Sequence, residues 1–316
     1  MNAIAVKNKK TGSGKFARFK RWIPVYIMML PGMLYLLFNN YLPISGLVVA
    51  FEQYNVKGGI WLSPWVGLKN FTYLFTSKDA LVFTRNTILY NLVFIALNTV
   101  VGVITAILIT EVKSHSAKKV YQSAVLLPFL VSMVIVSYMV YAALSVDTGM
   151  MNKQILPALG MESVNWYSES KYWPFILTLV NTWKNIGFGT IIYIGAISGI
   201  DQSLYEAAAV DGATRLKQIF SITLPNILPQ IITMILLSVG KIFYSDFGLF
   251  YQIPMDSGLL YDVTTTIDTY VYRSLLKIGN IGMSSAACVY QSIVGFVFVL
   301  VVNLVVKKLS PENSML

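Results

Sequence analysis

The sequence predicts an all-α integral membrane protein with six transmembrane helices, and three observations carry that prediction. Of 316 residues, 56% are hydrophobic and only 12% are charged, whereas a soluble domain carries about 25% charged residues. The mean hydropathy is +0.64. Six apolar runs, 22–51, 88–111, 120–145, 173–198, 226–250 and 281–306, each reach the roughly 20 residues that a helix needs to cross a bilayer core of about 30 Å.

Taken in order, the runs are bounded by charged or turn-forming residues. A basic head precedes the first, as in a secretory signal, but the run is long, contains Asn39 and Asn40 and lacks a small-x-small cleavage site, so it reads as an uncleaved span. The second ends at Glu111, the third follows Lys118 and Lys119, the fourth follows Lys171, the fifth begins just after Pro225, and the sixth closes before Lys307 and Lys308. Most runs are apolar all round, which suits a span better than a helix with one face on a soluble core. The chain divides into a basic tail (1–21), a six-helix transmembrane domain (22–306) and a short C-terminal tail (307–316).

Lysine and arginine set the orientation, because they gather on the cytoplasmic side of a membrane protein. With the N-terminus inside, the inner segments hold Lys7, Lys9, Lys10, Lys15, Arg18, Lys20, Arg21, Lys113, Lys118, Lys119, Arg215, Lys217, Lys307 and Lys308. The outer segments hold the fewer Lys57, Lys69, Lys78, Arg85, Lys153, Lys171, Arg273 and Lys277. Both termini and the segment around 199–225 are therefore expected in the cytoplasm.

Several functions are excluded. The formal charge of +10 is not gathered on one element or interleaved with aromatics, as a nucleic-acid platform requires. His115 stands alone and builds no zinc site. No pair of acids has a spacing suited to acid-base hydrolysis, so no catalytic residue and no metal ligand is assigned. Neither Gly14-Lys15 nor Gly240-Lys241 completes a phosphate-binding loop, which places any ATP chemistry on another subunit. The lone Cys288 lies inside the last span and forms no intramolecular disulfide.

One stretch is out of keeping with the apolar runs beside it: YEAAAVDGATRLKQIFSITLP, residues 205–225, carries Glu206, Asp211, Arg215 and Lys217. Ser203 followed by Glu206 fits a capping box at a helix start. Ala207, Ala208 and Ala209 then propagate a helix with little side-chain bulk, and Gly212 ends it. Leu216, Ile219 and Phe220 lie on one face of a second helix, and Pro225 marks the entry to the fifth span. Two short helices joined by a tight bend are expected on the cytoplasmic surface, where an ordinary interfacial connector is the plainer alternative.

The order Glu206-Ala207-Ala208, Asp211-Gly212-Ala213, then Ile222 and Leu224-Pro225 resembles the EAA loop of permease subunits of binding-protein-dependent ABC importers. The local match covers residues 205–225, and the six-span layout extends it over most of the chain. The resemblance implies the type I importer permease fold and alternating access driven by a separate ATPase that holds ATP and Mg, with no cofactor in this chain. It implies that the loop, at about 199–225, is a coupling helix docked on that ATPase: Glu206 makes a charged contact, Ala207 and Ala208 allow close packing, and Gly212 supplies the bend. The implied partners are a second, homologous permease in a heterodimer, two ATPase subunits and an extracellular solute-binding protein. The stretches PGMLYLLFNNYLPISGLVVAFEQYN, VGLKNFTYLF and NTWKNIGFGTIIYIGAISGI are similar to sugar permeases, especially those for oligosaccharide or polysaccharide fragments. Importers of peptides or amino acids carry the same loop and stay open as an alternative. A stand-alone ion-coupled carrier would leave the loop unexplained.

Polar groups inside a span are costly and mark candidate sites. The fourth run offers Asn181, Trp183, Lys184 and Asn185, and the fifth offers Lys241, Tyr244 and Asp246; both pair hydroxyl-matching groups with aromatic faces, as sugar recognition requires. Tyr138 and Tyr141, one turn apart, would add a second wall, or else pack near the membrane boundary. Lys184 and Lys241 either line the pathway, which would favour a substrate with carboxylates such as a uronic-acid oligosaccharide, or snorkel or pair with Asp246. The Gly195/Gly199 spacing suits close helix packing, internal or between subunits.

Overall fold

The computed structural model describes residues 15–309, and among these there is no β-strand, only an isolated antiparallel bridge between Glu52 and Trp65. Most of the basic tail (1–14) and the last residues of the C-terminal tail (310–316) lie outside the described residues. Among the described residues, four helices are long and apolar enough to cross a membrane: Trp22–Phe51, Lys78–Glu111, Arg215–Val239 and Ile281–Leu304. The pair His115–Leu130 and Met133–Leu144 makes a fifth crossing, bent by 93°. Trp173–Ser198, at 26 residues, has the length, about 39 Å at 1.5 Å per residue. It falls short only in hydropathy, because Asn181, Lys184 and Asn185 sit in its middle. With it the chain supplies the six crossings expected, and the least apolar of them carries the most site candidates.

Lys78–Glu111 organises the bundle. Its buried residues Phe83, Asn86, Thr87, Tyr90 and Phe94, then Gly102, Val103, Ala106 and Ile109, recur at three- and four-residue intervals and so form one stripe. Three apolar clusters are strung along that stripe. Phe83 joins the first with Ile242, Phe243 and Ile267, Tyr90 and Phe94 join the second with Trp173, Leu177 and Phe250, and Val103, Ala106 and Ile109 join the third with Tyr193 and Ile227. The first span behaves differently: every residue from 22 to 45 is exposed, and the segment enters the body only at the buried Val49 and Ala50.

Several boundaries depart from expectation: the second span starts at Lys78, ten residues before the expected 88, and three others depart for a local reason. The third span, expected to run unbroken over 120–145, breaks after Leu130; Pro128 stands two residues before the break, and Ser132 starts the next helix by accepting from the Ile135 N–H at 3.4 Å. The fifth span begins at Arg215, ten residues before Pro225. A π-helical turn, Ile219–Thr223, leads into Pro225 and accommodates a residue that has no N–H to donate. That helix then stops at Val239, short of the expected 250, and the chain turns through 240–247 before the single turn Gly248–Gln252. Within this chain no close approach is made at Gly195, where a Cβ would meet nothing within 4 Å; the close internal approach is at Gly187, where a Cβ would lie 2.8 Å from the Leu126 Cα and closer still to the Val125 carbonyl.

Candidate substrate groove and coupling loop

The polar residues of the spans converge on one cavity of about 300 Å³, lined by Asn91, Asn98, Asn181, Asn185, Lys241 and Tyr244 among others. Phe94, Phe188, Tyr193 and Met234 supply its apolar surface. Asn98 donates from Nδ2 to Asn181 Oδ1 at 3.0 Å, and Asn185 donates to the Asn181 carbonyl at 3.0 Å. The Asn98 Oδ1 is buried without a partner, an unmet acceptor on a residue of the cavity wall. No hydrogen bond or ion pair occupies the Lys241 ammonium among the described residues, and the side chain is exposed along the cavity.

Of the residues singled out in the sequence, Asn181, Asn185, Lys241 and Tyr244 meet in this cavity, while Tyr138, Tyr141, Trp183, Lys184 and Asp246 lie outside its lining. Lys184 has a distinct task. Its ammonium donates to the carbonyls of Pro128 and Phe129, both at 3.2 Å, and to that of Val131. They lie at the break, where helix carbonyls lose their i+4 partners, although Pro128 also accepts from the Val131 N–H at 3.2 Å; a cation is the favourable group at a helix C-terminus. Asp246 accepts from the Leu249 N–H at 3.1 Å at the start of the turn Gly248–Gln252 and makes no ion pair with Lys241. Tyr141 packs on Tyr167 with ring centroids 5.7 Å apart, and Tyr138 is exposed.

Asn91 and Asn98 were missed, although the signal was present: two amides two helical turns apart inside a span. Asn91 donates to the carbonyls of Thr87 (2.9 Å), Ile242 (2.9 Å) and Tyr244 (3.1 Å). It thereby ties the chain just past the fifth-span helix to the second span. Gln291 holds the Phe243 carbonyl at 2.7 Å from the other side. Two side chains from distant helices thus satisfy the carbonyls of Ile242, Phe243 and Tyr244 beyond the end of the regular helix at Val239, and hold Lys241 and Tyr244 at the groove.

At the opposite end of Trp173–Ser198 the chain enters the helix Gln202–Val210, which buries no residue. Its N-cap is Asp201, whose Oδ1 accepts from the Ser203 N–H at 2.9 Å; the expected capping residue, Ser203, lies inside the helix. The end matches expectation in detail. Gly212 takes φ +77°, the Ala213 N–H reaches the Ala208 carbonyl at 2.8 Å, and the Gly212 N–H reaches Ala209 at 3.1 Å, which is a Schellman arrangement. Thr214 then caps the next helix, accepting from the Lys217 N–H at 3.4 Å. Tyr205 and Thr223 hydroxyls, 2.9 Å apart, pin the short helix to the base of the fifth span. Glu206, Ala207, Asp211, Gly212 and Pro225 are exposed, while Ala208, Ala213 and Leu224 are half-buried. The loop is a hydrogen-bonded knob whose outer face, with Glu206, Ala207 and Asp211, is exposed.

The profile of the family described as "Binding-protein-dependent transport system inner membrane component" matches residues 98–311. The chain belongs to this family. As a permease of binding-protein-dependent transport it is 35% identical over 289 residues, 92% of this chain and 89% of the relative, to the polygalacturonan/rhamnogalacturonan transport system permease protein YteP of Bacillus subtilis (strain 168). It is 32% identical over 302 residues, 96% of this chain and 94% of the relative, to protein LplB of the same organism. A subunit in the crystal structure of a bacterial ABC transporter involved in the import of the acidic polysaccharide alginate superposes with a TM-score of 0.84 at 32% identity, covering 93% of this chain and 99% of that one. The permease therefore has the type I ABC importer fold, and it is a transport subunit of the membrane.

Proposed function

We propose that this permease carries acidic oligosaccharides across the bacterial cell membrane, with both termini and the 199–225 loop in the cytoplasm. The observation that carries the acidic assignment is the division of labour between two lysines. Lys184 is consumed by three carbonyls, whereas Lys241 stands unpaired among the described residues beside four amides and a tyrosine. An unpaired ammonium in a span is costly unless a ligand or a water-filled path receives it, and a uronate carboxylate is such a ligand. The relatives that handle polygalacturonan and alginate support the same substrate class.

Alternating access needs an energy source that this chain does not encode. A separate ATPase holding ATP and Mg would dock on Gln202–Val210, with Glu206 as its charged contact and Ala207 and Ala208 admitting close approach. Asp211, Gly212 and Ala213 would set the angle of the knob, and Leu224 and Pro225 its junction with the fifth span. A second permease would close the open side of the groove and cover the bare first span. An extracellular binding protein would deliver the saccharide, as in the alginate importer crystallised with its pentasaccharide-bound periplasmic protein.

The test is saccharide-stimulated ATP hydrolysis by the reconstituted assembly with its binding protein, using uronate-bearing and neutral oligosaccharides. Stimulation by the uronates that collapses in Glu206→Ala, and that loses its preference for acidic sugars in Lys241→Met, is the expected result. Equal activity of the Glu206→Ala variant would reduce the loop to a surface connector. Uptake by this chain alone would point to an ion-coupled carrier.

A further inference from the structure

A second cavity of about 300 Å³ lies at the end of the bundle away from the coupling loop, between the start of Lys78–Glu111 and the helix Ile267–Leu276. One buried donor on its lining residues, Arg273 Nη2, has no hydrogen-bond partner, and the Tyr270 and Ser274 hydroxyls are buried beside it. Arg273 is only 8% exposed, and the rest of its guanidinium is locked. Nε donates to Asp256 Oδ1 at 2.8 Å, Nη1 donates to Thr265 Oγ1 at 3.0 Å, and the group lies 3.8 Å over the Tyr261 ring. Lys277 pairs with the same Asp256, so two cations share one carboxylate at the inner end of the cavity, while Asp79 and Asp262 make its rim negative.

The remaining surface is of a different kind. Asp79 and Asp262 line the cavity as exposed carboxylates, and Tyr73 donates to Asp79 at 2.5 Å. The rings of Tyr73 and Tyr270 stack with centroids 6.4 Å apart and an interplanar angle of 15°. Burial pushes the Tyr270 phenol up to about 12, so it stays a neutral hydroxyl at physiological pH. The cavity thus joins a preorganised guanidinium arm and two hydroxyls inside, two carboxylates outside, and flat aromatic faces. Leaving a buried donor unmade is costly, and Arg273 is held so that it cannot turn its free arm elsewhere.

We propose that this cavity is an outer saccharide subsite that takes one hexuronate ring. The sugar carboxylate meets the free arm of Arg273 with help from Lys277, ring hydroxyls donate to Asp79 and Asp262, and a ring face lies on tyrosine. The subsite rests on the reading of the protein as a saccharide importer, and it is separate from the groove: it lies at the start of the second span, whereas Asn98 and Asn181 lie in mid-span. It would hold one unit of an oligosaccharide chain at the outer mouth.

The experiment is equilibrium dialysis of labelled digalacturonate against the purified full importer without its binding protein. The Lys241→Met background removes binding in the groove. Expected is saturable binding in that background, weakened about tenfold by Asp79→Asn with Asp262→Asn and again by Arg273→Gln, with the neutral digalactoside binding at least tenfold more weakly. Asp79 and Asp262 are exposed, so their variants keep the proposal testable if Arg273→Gln fails to fold, which size-exclusion profiles report. Absence of binding in the Lys241→Met background, identical binding by the double aspartate variant, or equal binding of the neutral digalactoside would overturn the subsite. Failure of the importer reading itself is a separate result: no saccharide, acidic or neutral, stimulates ATP hydrolysis by the wild-type assembly.

Discussion

The 199–225 loop and the candidate groove are both polar features of an apolar chain, yet they are built on opposite principles. Nearly every bond that shapes the loop closes within a few residues, from Asp201 to Ser203, Ala213 to Ala208 and Lys217 to Thr214. The bonds that shape the groove join residues far apart: 83 positions separate Asn98 from Asn181, and 151 separate Asn91 from Ile242. A loop built locally can move as a unit without losing its shape. A groove held by ties between helices changes shape whenever those helices move, which is what alternating access demands of a substrate site.

The comparison is broken most severely where helix backbones nearly touch. Gly187→Ala would drive a methyl into the backbone at Val125 and Leu126, and overpacking of that kind costs about 1–3 kcal/mol, occasionally more. Thermal unfolding of the detergent-solubilised permease should show the largest drop in Tm of any variant considered. An unchanged Tm would mean that the fourth and third spans are not pressed together at this point.

Lys184→Met should come next, because it strips the cation from three carbonyls at the 93° break; hydrogen bonds to a charged group are worth about 1.5–3 kcal/mol. The half-saturating saccharide concentration should stay near that of wild type while the maximal transport rate falls, which separates a residue that holds the bend from one that touches substrate. A variant that instead raises the half-saturating concentration at full rate would return Lys184 to the substrate path.

Gly212→Ala tests the local principle. A Cβ there finds open space but must adopt φ +77°, at a cost of roughly 1 kcal/mol. Tm should barely move, while ATP hydrolysis loses part of its stimulation by saccharide as the knob changes angle. A coupling ratio equal to wild type would show that the bend is not read by the partner.

The smallest effect belongs to the cap at Asp201. Its hydrogen bond from the Ser203 N–H holds the carboxyl below its ordinary value, which is about 3.9. The stabilisation is therefore present at neutral pH and is lost as pH falls through the lowered folded-state value. Hydrogen exchange at residues 203–206 should quicken in strong acid for the wild type. Asp201→Asn keeps a good cap and should remove that pH dependence.

The same contrast explains what could be read in advance. Gly212 and the alanine run announce their geometry in sequence because a positive φ and a Schellman turn are local demands. Asp201 was overlooked in favour of Ser203 since both residue types cap well and only the backbone reveals which one lies outside the helix. Asn181 and Lys241 were legible as polar residues in a span, but nothing in their spacing tells which lysine is free and which is taken. Lys184 and Lys241 have the same chemistry and differ only in what stands opposite them.

The sequence by itself determined the membrane class, the six crossings and the bend at Gly212, since these follow from hydropathy, charge count and short-range backbone rules. Tertiary structure alone decided that the third span breaks, that Lys184 closes the break, and that Asn91 and Asn98 join the groove. Those outcomes depend on which carbonyls and amides meet across helices more than 50 positions apart in the chain, and the energy of such a meeting is written in no single segment.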